Sequence, residues 1–95
     1  MSVDLCVLLW PHRGQEEALI AYEDEVLALV PEHGGPVLQR VRSVDGDGGP
    51  FEMHLIRFPD QAAFDAYLAD PRRAEMADQR DAAIARTEVQ RVEVV

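Results

Sequence analysis

An α+β fold of element order βαββαβ, with a four-stranded antiparallel sheet and helices on one face, is predicted by three features of the 95-residue sequence. Four short β-rich runs lie near residues 3, 37, 51 and 87. Between the first and second, and between the third and fourth, apolar residues recur at helical spacing. Between the second and third lies only "DGDGGP" (45–50), whose Asp-Gly and Gly-Gly pairs supply the positive φ angles of a hairpin turn.

In the first run, Val3, Leu5, Val7 and Leu9 fall on one face and Asp4, Cys6, Leu8 and Trp10 on the other. Both faces are largely apolar after Asp4, as in a strand covered on two sides, and Pro11 stops it. After "HRGQ", Leu19, Tyr22, Val26, Leu29 and Val30 recur every three or four residues and form the buried stripe of a first helix. Glu16, Glu17, Glu23, Asp24 and Glu25 are assigned to its opposite, solvated face, the earliest of them favoured by the helix dipole. Pro31 and His33-Gly34-Gly35-Pro36 close the helix. A second strand follows at 37–44 and a third at 51–58.

Phe58-Pro59-Asp60 then ends an apolar run and opens a helix, with Asp60 as N-cap and Phe64, Tyr67 and Leu68 as its buried stripe. Ten residues later Asp70-Pro71 breaks this helix and caps another, proline standing where its missing N–H costs nothing. Met76, Ala77, Arg80, Ala83 and Ile84 continue a stripe on the new axis. The fourth strand is placed at 87–95, with Val89 out of phase with Val92 and Val94. This order is the split-βαβ, ferredoxin-like arrangement, here as a single domain over residues 1–95.

Composition narrows the function. Hydrophobic residues make up 47% of the chain and charged residues 28%, as in ordinary globular proteins. With a net charge of −9 the chain repels phosphate, so neither nucleic acid nor a membrane is an expected partner. No apolar stretch approaches the ~18 residues that span a bilayer. "VDLCVLLW", eight residues with an acid among them, is not expected to be a signal peptide, and a cytoplasmic location is expected. All nine basic residues are arginine, which excludes lysine Schiff-base chemistry and fits a GC-rich bacterial coding bias. Cys6, the lone cysteine, reads as a buried filler. There is no phosphate loop, dinucleotide glycine fingerprint or Ser-His-Asp order.

Apolar residues in both phases of strands one and three leave a second sheet face that the helices do not cover. Monomers rarely expose such a patch, so a homodimer formed sheet to sheet is expected. His54, mid-strand, and His12, in the loop after strand one, are the candidate general bases. Trp10 is a candidate stacking wall. Tyr22 and Tyr67, facing the core from two helices, are candidate hydroxyl donors to a ligand in a helix–sheet cavity. Arg40 and Arg57 are candidate anion anchors, set against salt bridges from Arg40, Arg42 and Arg57 to Asp4, Glu52 or Glu93. His12, His33 and His54 lie in three separate elements without metal-ligand spacing, so no metal and no cofactor is expected.

Phe58-Pro59-Asp60, the Ala63 to Tyr67 segment, Asp70-Pro71, His33-Gly34-Gly35 and Arg80 together resemble small bacterial domains of unknown function in the dimeric α+β barrel superfamily. The likeness spans nearly the whole chain. The superfamily includes cofactor-free antibiotic-biosynthesis monooxygenases, muconolactone isomerases, haem-degrading oxygenases and stress-response barrels. Haem-degrading members place an axial histidine on the second long helix, and no histidine follows His54 here. The resemblance implies a homodimer binding a small organic metabolite, with cofactor-free monooxygenase or isomerase activity. The alternatives are a non-catalytic binding or sensing module and a purely structural dimerisation domain.

Overall fold

Strand β1 (Val3–Pro11) runs through the middle of the sheet. It is antiparallel to β3 (Glu52–Phe58) on one side and β4 (Ile84–Val92) on the other, while β2 (Val37–Arg42) pairs with β3, giving the order β2-β3-β1-β4. The structure is a computed structural model describing residues 1–95. Helix α1 (Glu16–Leu27) and a single 3-10 turn (Pro31–His33) connect β1 to β2. Helices α2 (Gln61–Leu68), α3 (Pro71–Glu75) and α4 (Ala77–Ala83) connect β3 to β4. This is the ferredoxin-like α+β arrangement, its second helical unit broken at Asp70-Pro71 and bent again at Met76.

The register sorts side chains by face. Leu5 opposes Ile56, Val7 opposes His54 and Leu9 opposes Glu52, all toward the helices. Cys6 opposes Leu55 and Leu8 opposes Met53 on the other side, which no helix covers. Val3, Leu5, Leu9, Ile56 and Phe58 form a continuous core with Leu19, Tyr22, Val26 and Val30 of the first helical connection and Tyr67 of α2. Phe58 anchors the aromatic part of this core, its ring centroid 5.3 Å from Tyr67 and 5.5 Å from Phe64.

The breaks have local causes. Asp60 Oδ1 accepts from the Ala63 amide at 2.8 Å and so caps α2. Asp70 Oδ1 accepts from the Arg72 amide at 2.9 Å, with Pro71 at the first position of α3. α1 ends three residues before Val30, yet Leu29 and Val30 stay buried because their amides continue to the Val26 and Leu27 carbonyls at 3.1 Å. Gly34 then turns left-handed (φ 85°), and Gly35 lets the chain pass against Val30, with the Arg57 carbonyl 3.3 Å from where a Cβ would stand.

Three boundaries differ from the expected ones. Ile84, read as the last residue of a helical stripe, is extended and begins β4, its β-branched side chain packed in the core opposite Pro11. α4 therefore passes directly into β4, which ends at Val92 because its pairing with β1 runs out at Asp4. β2 stops at Arg42, where the Ser43 amide bonds the Phe51 carbonyl at 2.9 Å and closes the turn. No helix is long and apolar enough to cross a membrane.

Candidate functional site

Because three short helices replace one long helix between β3 and β4, the layer over β1 and β4 is incomplete. A cavity of about 400 Å³ remains between helices and sheet. Leu5, Val7, Leu9, Ile56 and Phe58 supply its apolar walls. Phe64, Leu68, Arg80, Thr87 and Val89 line the side that opens to solvent, and Tyr22, Glu23, His54, Tyr67 and Arg73 bring polar groups inside. A mostly apolar pocket with a few convergent polar groups is the usual form of a small-molecule site.

The most buried polar group is built on β3. Glu52 and His54 are two residues apart and so face the same side, and both are almost inaccessible (0% and 2% exposed). The two side chains meet at 2.5 Å between His54 Nε2 and Glu52 Oε2. Glu52 also accepts from Arg40 Nε at 3.0 Å and from Arg42 Nε at 2.7 Å, two residues that β2 presents beside it. Burial alone would raise its pKa, but the hydrogen bonds from His54, Arg40 and Arg42 outweigh this and hold it at about 2. An ionised carboxylate can only accept, so the proton in the His54–Glu52 bond sits on Nε2. In the neutral tautomer, Nδ1 then carries the lone pair.

Nδ1 faces Glu23, whose Oε2 lies 3.9 Å away. Glu23 is 5% exposed. Burial and the nearby negative charge of Glu52 push its pKa up to about 8, against smaller opposing effects of Arg40 and Arg73. At neutral pH the site therefore holds an anionic Glu52 behind the imidazole and a protonated Glu23 in front of it. The gap between Nδ1 and Glu23 is too long for a direct hydrogen bond.

A second polar group enters from the helices. The Arg73 guanidinium lies over the Tyr67 ring, 4.6 Å from its centroid, and close enough to both tyrosine hydroxyls to favour their ionised forms. Burial dominates, however: it raises the Tyr22 pKa and pushes Tyr67 up to about 12. Both hydroxyls therefore remain donors. α3 is held in place at its start, where Asp70 Oδ2 takes His33 Nε2 and Arg72 Nη2 at 2.8 Å each. These contacts, Arg72 first and His33 second, depress the Asp70 pKa strongly.

The structure brings His54, Tyr22 and Tyr67 of the sequence candidates together in the cavity. Arg40 stands behind them, spent on Glu52 and on Asp24 at 2.7 Å. Arg57 is on the uncovered sheet face, paired through Nε and Nη2 with Asp4 at 2.8 and 2.9 Å. Trp10 is on that face too, under the Arg86 guanidinium (4.5 Å to its ring) and bonded to the Gly48 carbonyl. His12 is exposed in its loop, with Nε2 3.0 Å from the Asp81 carbonyl oxygen. Glu23 corrects the expected solvated acidic face of α1. It shares the buried stripe, since Leu19, Tyr22, Glu23 and Val26 are spaced i, i+3, i+4, i+7. That spacing was the available signal. Glu52 was in phase with His54 and Ile56, whereas nothing in the local pattern marked Arg73.

Glu23, Glu52 and His54 also form a set of potential metal ligands, their donor atoms all within 4.8 Å of one another. Histidine spacing alone had not suggested this convergence. Two guanidiniums already occupy the Glu52 oxygens, and their charge opposes a dication. The set is better suited to holding an imidazole than a metal.

Solved structures with this fold include a protein designated an antibiotic biosynthesis monooxygenase, from Bacteroides thetaiotaomicron (16% identity, 99% of this chain and 90% of that one, TM-score 0.80). A protein of unknown function from Rhodopseudomonas palustris is also similar (19% identity, 99% and 82%, TM-score 0.77). So is a dimeric ferredoxin-like protein of unknown function from Jannaschia (21% identity, 99% and 100%, TM-score 0.72). These likenesses carry the fold. No curated protein sequence is significantly similar to the chain. Residues 12–95, from the His12 loop through the cavity to β4, match the family described as Domain of unknown function (DUF1330), and the chain belongs to that family.

Proposed function

We propose that this chain is a cofactor-free enzyme of proton transfer, acting on a small, partly apolar organic molecule with an acidic C–H beside a carbonyl. The observation that carries the reading is the buried Glu52–His54 pair, whose second imidazole nitrogen is turned toward a protonated carboxyl at the cavity wall. Glu52 fixes the tautomer, and His54 Nδ1 takes the proton from carbon. Glu23 keeps its proton and donates a hydrogen bond to the carbonyl oxygen as enolate charge develops there. Return of a proton to a different carbon completes an isomerisation. The same enolate is the species that cofactor-free oxygenation passes to dioxygen, the chemistry suggested by the designation of the Bacteroides protein.

The test is deuterium exchange at the benzylic carbon of phenylpyruvate in D2O, followed by proton NMR. The wild-type protein accelerates exchange over buffer, and His54→Gln reduces the acceleration at least about 100-fold, within the usual worth of a general base. Equal rates in the two proteins would remove His54 from the chemistry. A filled-core structural role is disfavoured by the open cavity, and a sensing role by the charge placed behind His54, which simple binding does not need.

The assembly belongs to the same reading. Cys6, Leu8, Trp10, Met53 and Leu55 lie half-buried on the sheet face opposite the helices. A second copy laid against this face would make a homodimer with the two cavities facing outward.

A further inference from the structure

We infer that Arg73, with the hydroxyls of Tyr22 and Tyr67, is an anion-binding pole of the cavity, so that the ligand is a small carboxylate. This inference rests on the reading of the cavity as a substrate site and names the class of substrate. Of the three arginines lining the cavity, Arg80 is paired with Asp81 and Arg86 with Glu88. Arg73 has no carboxylate partner. Its Nε is buried without any hydrogen-bond partner. A buried donor left unpaired is costly, and a chain with eighteen acids could easily have supplied a carboxylate.

The local charge points the same way. The Glu52 negative charge is answered by Arg40 and Arg42, and Glu23 is neutral at physiological pH. The Arg73 guanidinium is thus a positive charge without a carboxylate partner in a largely apolar pocket. Its planar fork suits the two oxygens of a carboxylate. Stacking on Tyr67 fixes its plane, and the two tyrosine O–H groups, kept protonated by burial, add donors. The Asp70-Pro71 break is the device that delivers it. By ending α2 and starting α3, it places Arg73 in the cavity rather than on a continuing helix face.

The experiment compares 3-phenylpropanoate with its neutral amide, 3-phenylpropanamide, by NMR titration of isotope-labelled protein. Wild type is expected to prefer the carboxylate by about 10- to 100-fold, the range for a charge-assisted bond inside a pocket. Arg73→Gln is expected to bind both probes alike. If Arg73→Gln loses amide binding as well, Arg73→Lys decides: the retained charge should keep at least part of the preference, and its complete loss overturns the inference. No preference in wild type, or an undiminished one in Arg73→Gln, also overturns it. His54→Gln separates the two readings, since it should lose exchange and keep the carboxylate preference. Exchange by wild type without carboxylate preference would leave proton transfer standing and remove the anion pole alone.

Discussion

Glu23→Gln should make the protein more stable, and by an amount that grows with pH. The folded carboxyl keeps its proton to about pH 8, whereas the unfolded chain releases it near 4.5. Between those values the folded state binds one proton more than the unfolded state, so stability falls as pH rises. Below 4.5 the burial of a neutral carboxyl carries no such penalty. At about 1.36 kcal/mol per pH unit the penalty reaches about 3 kcal/mol at pH 7 and about 5 kcal/mol above pH 8. Glutamine has the shape of the protonated acid and no charge to lose. Urea unfolding of both proteins, followed by circular dichroism at pH 4.5, 7 and 9, should therefore show nearly equal stabilities at the first value and a widening advantage for Glu23→Gln at the others. Because only the difference between the proteins matters, titration of the remaining carboxylates cancels. A difference independent of pH, or a less stable variant at pH 7, would refute the assignment of a protonated Glu23.

Glu52→Ala should cost about 3–5 kcal/mol in the same assay, because it strands Arg42 and the buried imidazole without their carboxylate. Gly35→Ala should cost about 1–3 kcal/mol from overpacking against the Val30 side chain, measured as a lower thermal midpoint. Leu55→Glu, at the centre of the uncovered sheet face, should convert a dimer to a monomer in light scattering while leaving the far-ultraviolet spectrum unchanged. Exchange activity toward phenylpyruvate should decline above about pH 8 as Glu23 ionises, and Glu23→Gln should abolish that alkaline limb.

The fold was legible because its signals are local. Asp60 and Asp70 cap as their positions suggest, the glycine-rich turn joins β2 to β3, and Leu19, Tyr22 and Val26 pack as their spacing demands. The boundary at Ile84 was less accessible, since an isoleucine after Ala82-Ala83 suits a helix end and a strand start equally until its partner Pro11 is known. The site was legible in part. Facing positions for His54, Tyr22 and Tyr67 follow from periodicity, which also contained Glu23. Charge overrode pattern there: an acid followed by Asp24 and Glu25 reads as solvated unless the stripe through Leu19 and Val26 is followed strictly. Arg73 depends on how far α3 swings away from α2, and that angle is set by contacts among His33, Asp70 and Arg72 drawn from distant parts of the chain.

The placement of β1 also sets a timetable for synthesis. Of the four strands the first to be synthesised is a central one, and one of its two neighbours is the last of the four: Asp4 pairs with Val92, and Pro11 with Ile84. At about 5–20 residues per second, β1 must wait several seconds with one edge unpaired. The cavity wall formed by Thr87 and Val89 does not exist during that interval. Until then the nascent sheet is confined to β2, β3 and β1, and the open edge of β1 is the segment that a chaperone or a neighbouring nascent chain would meet.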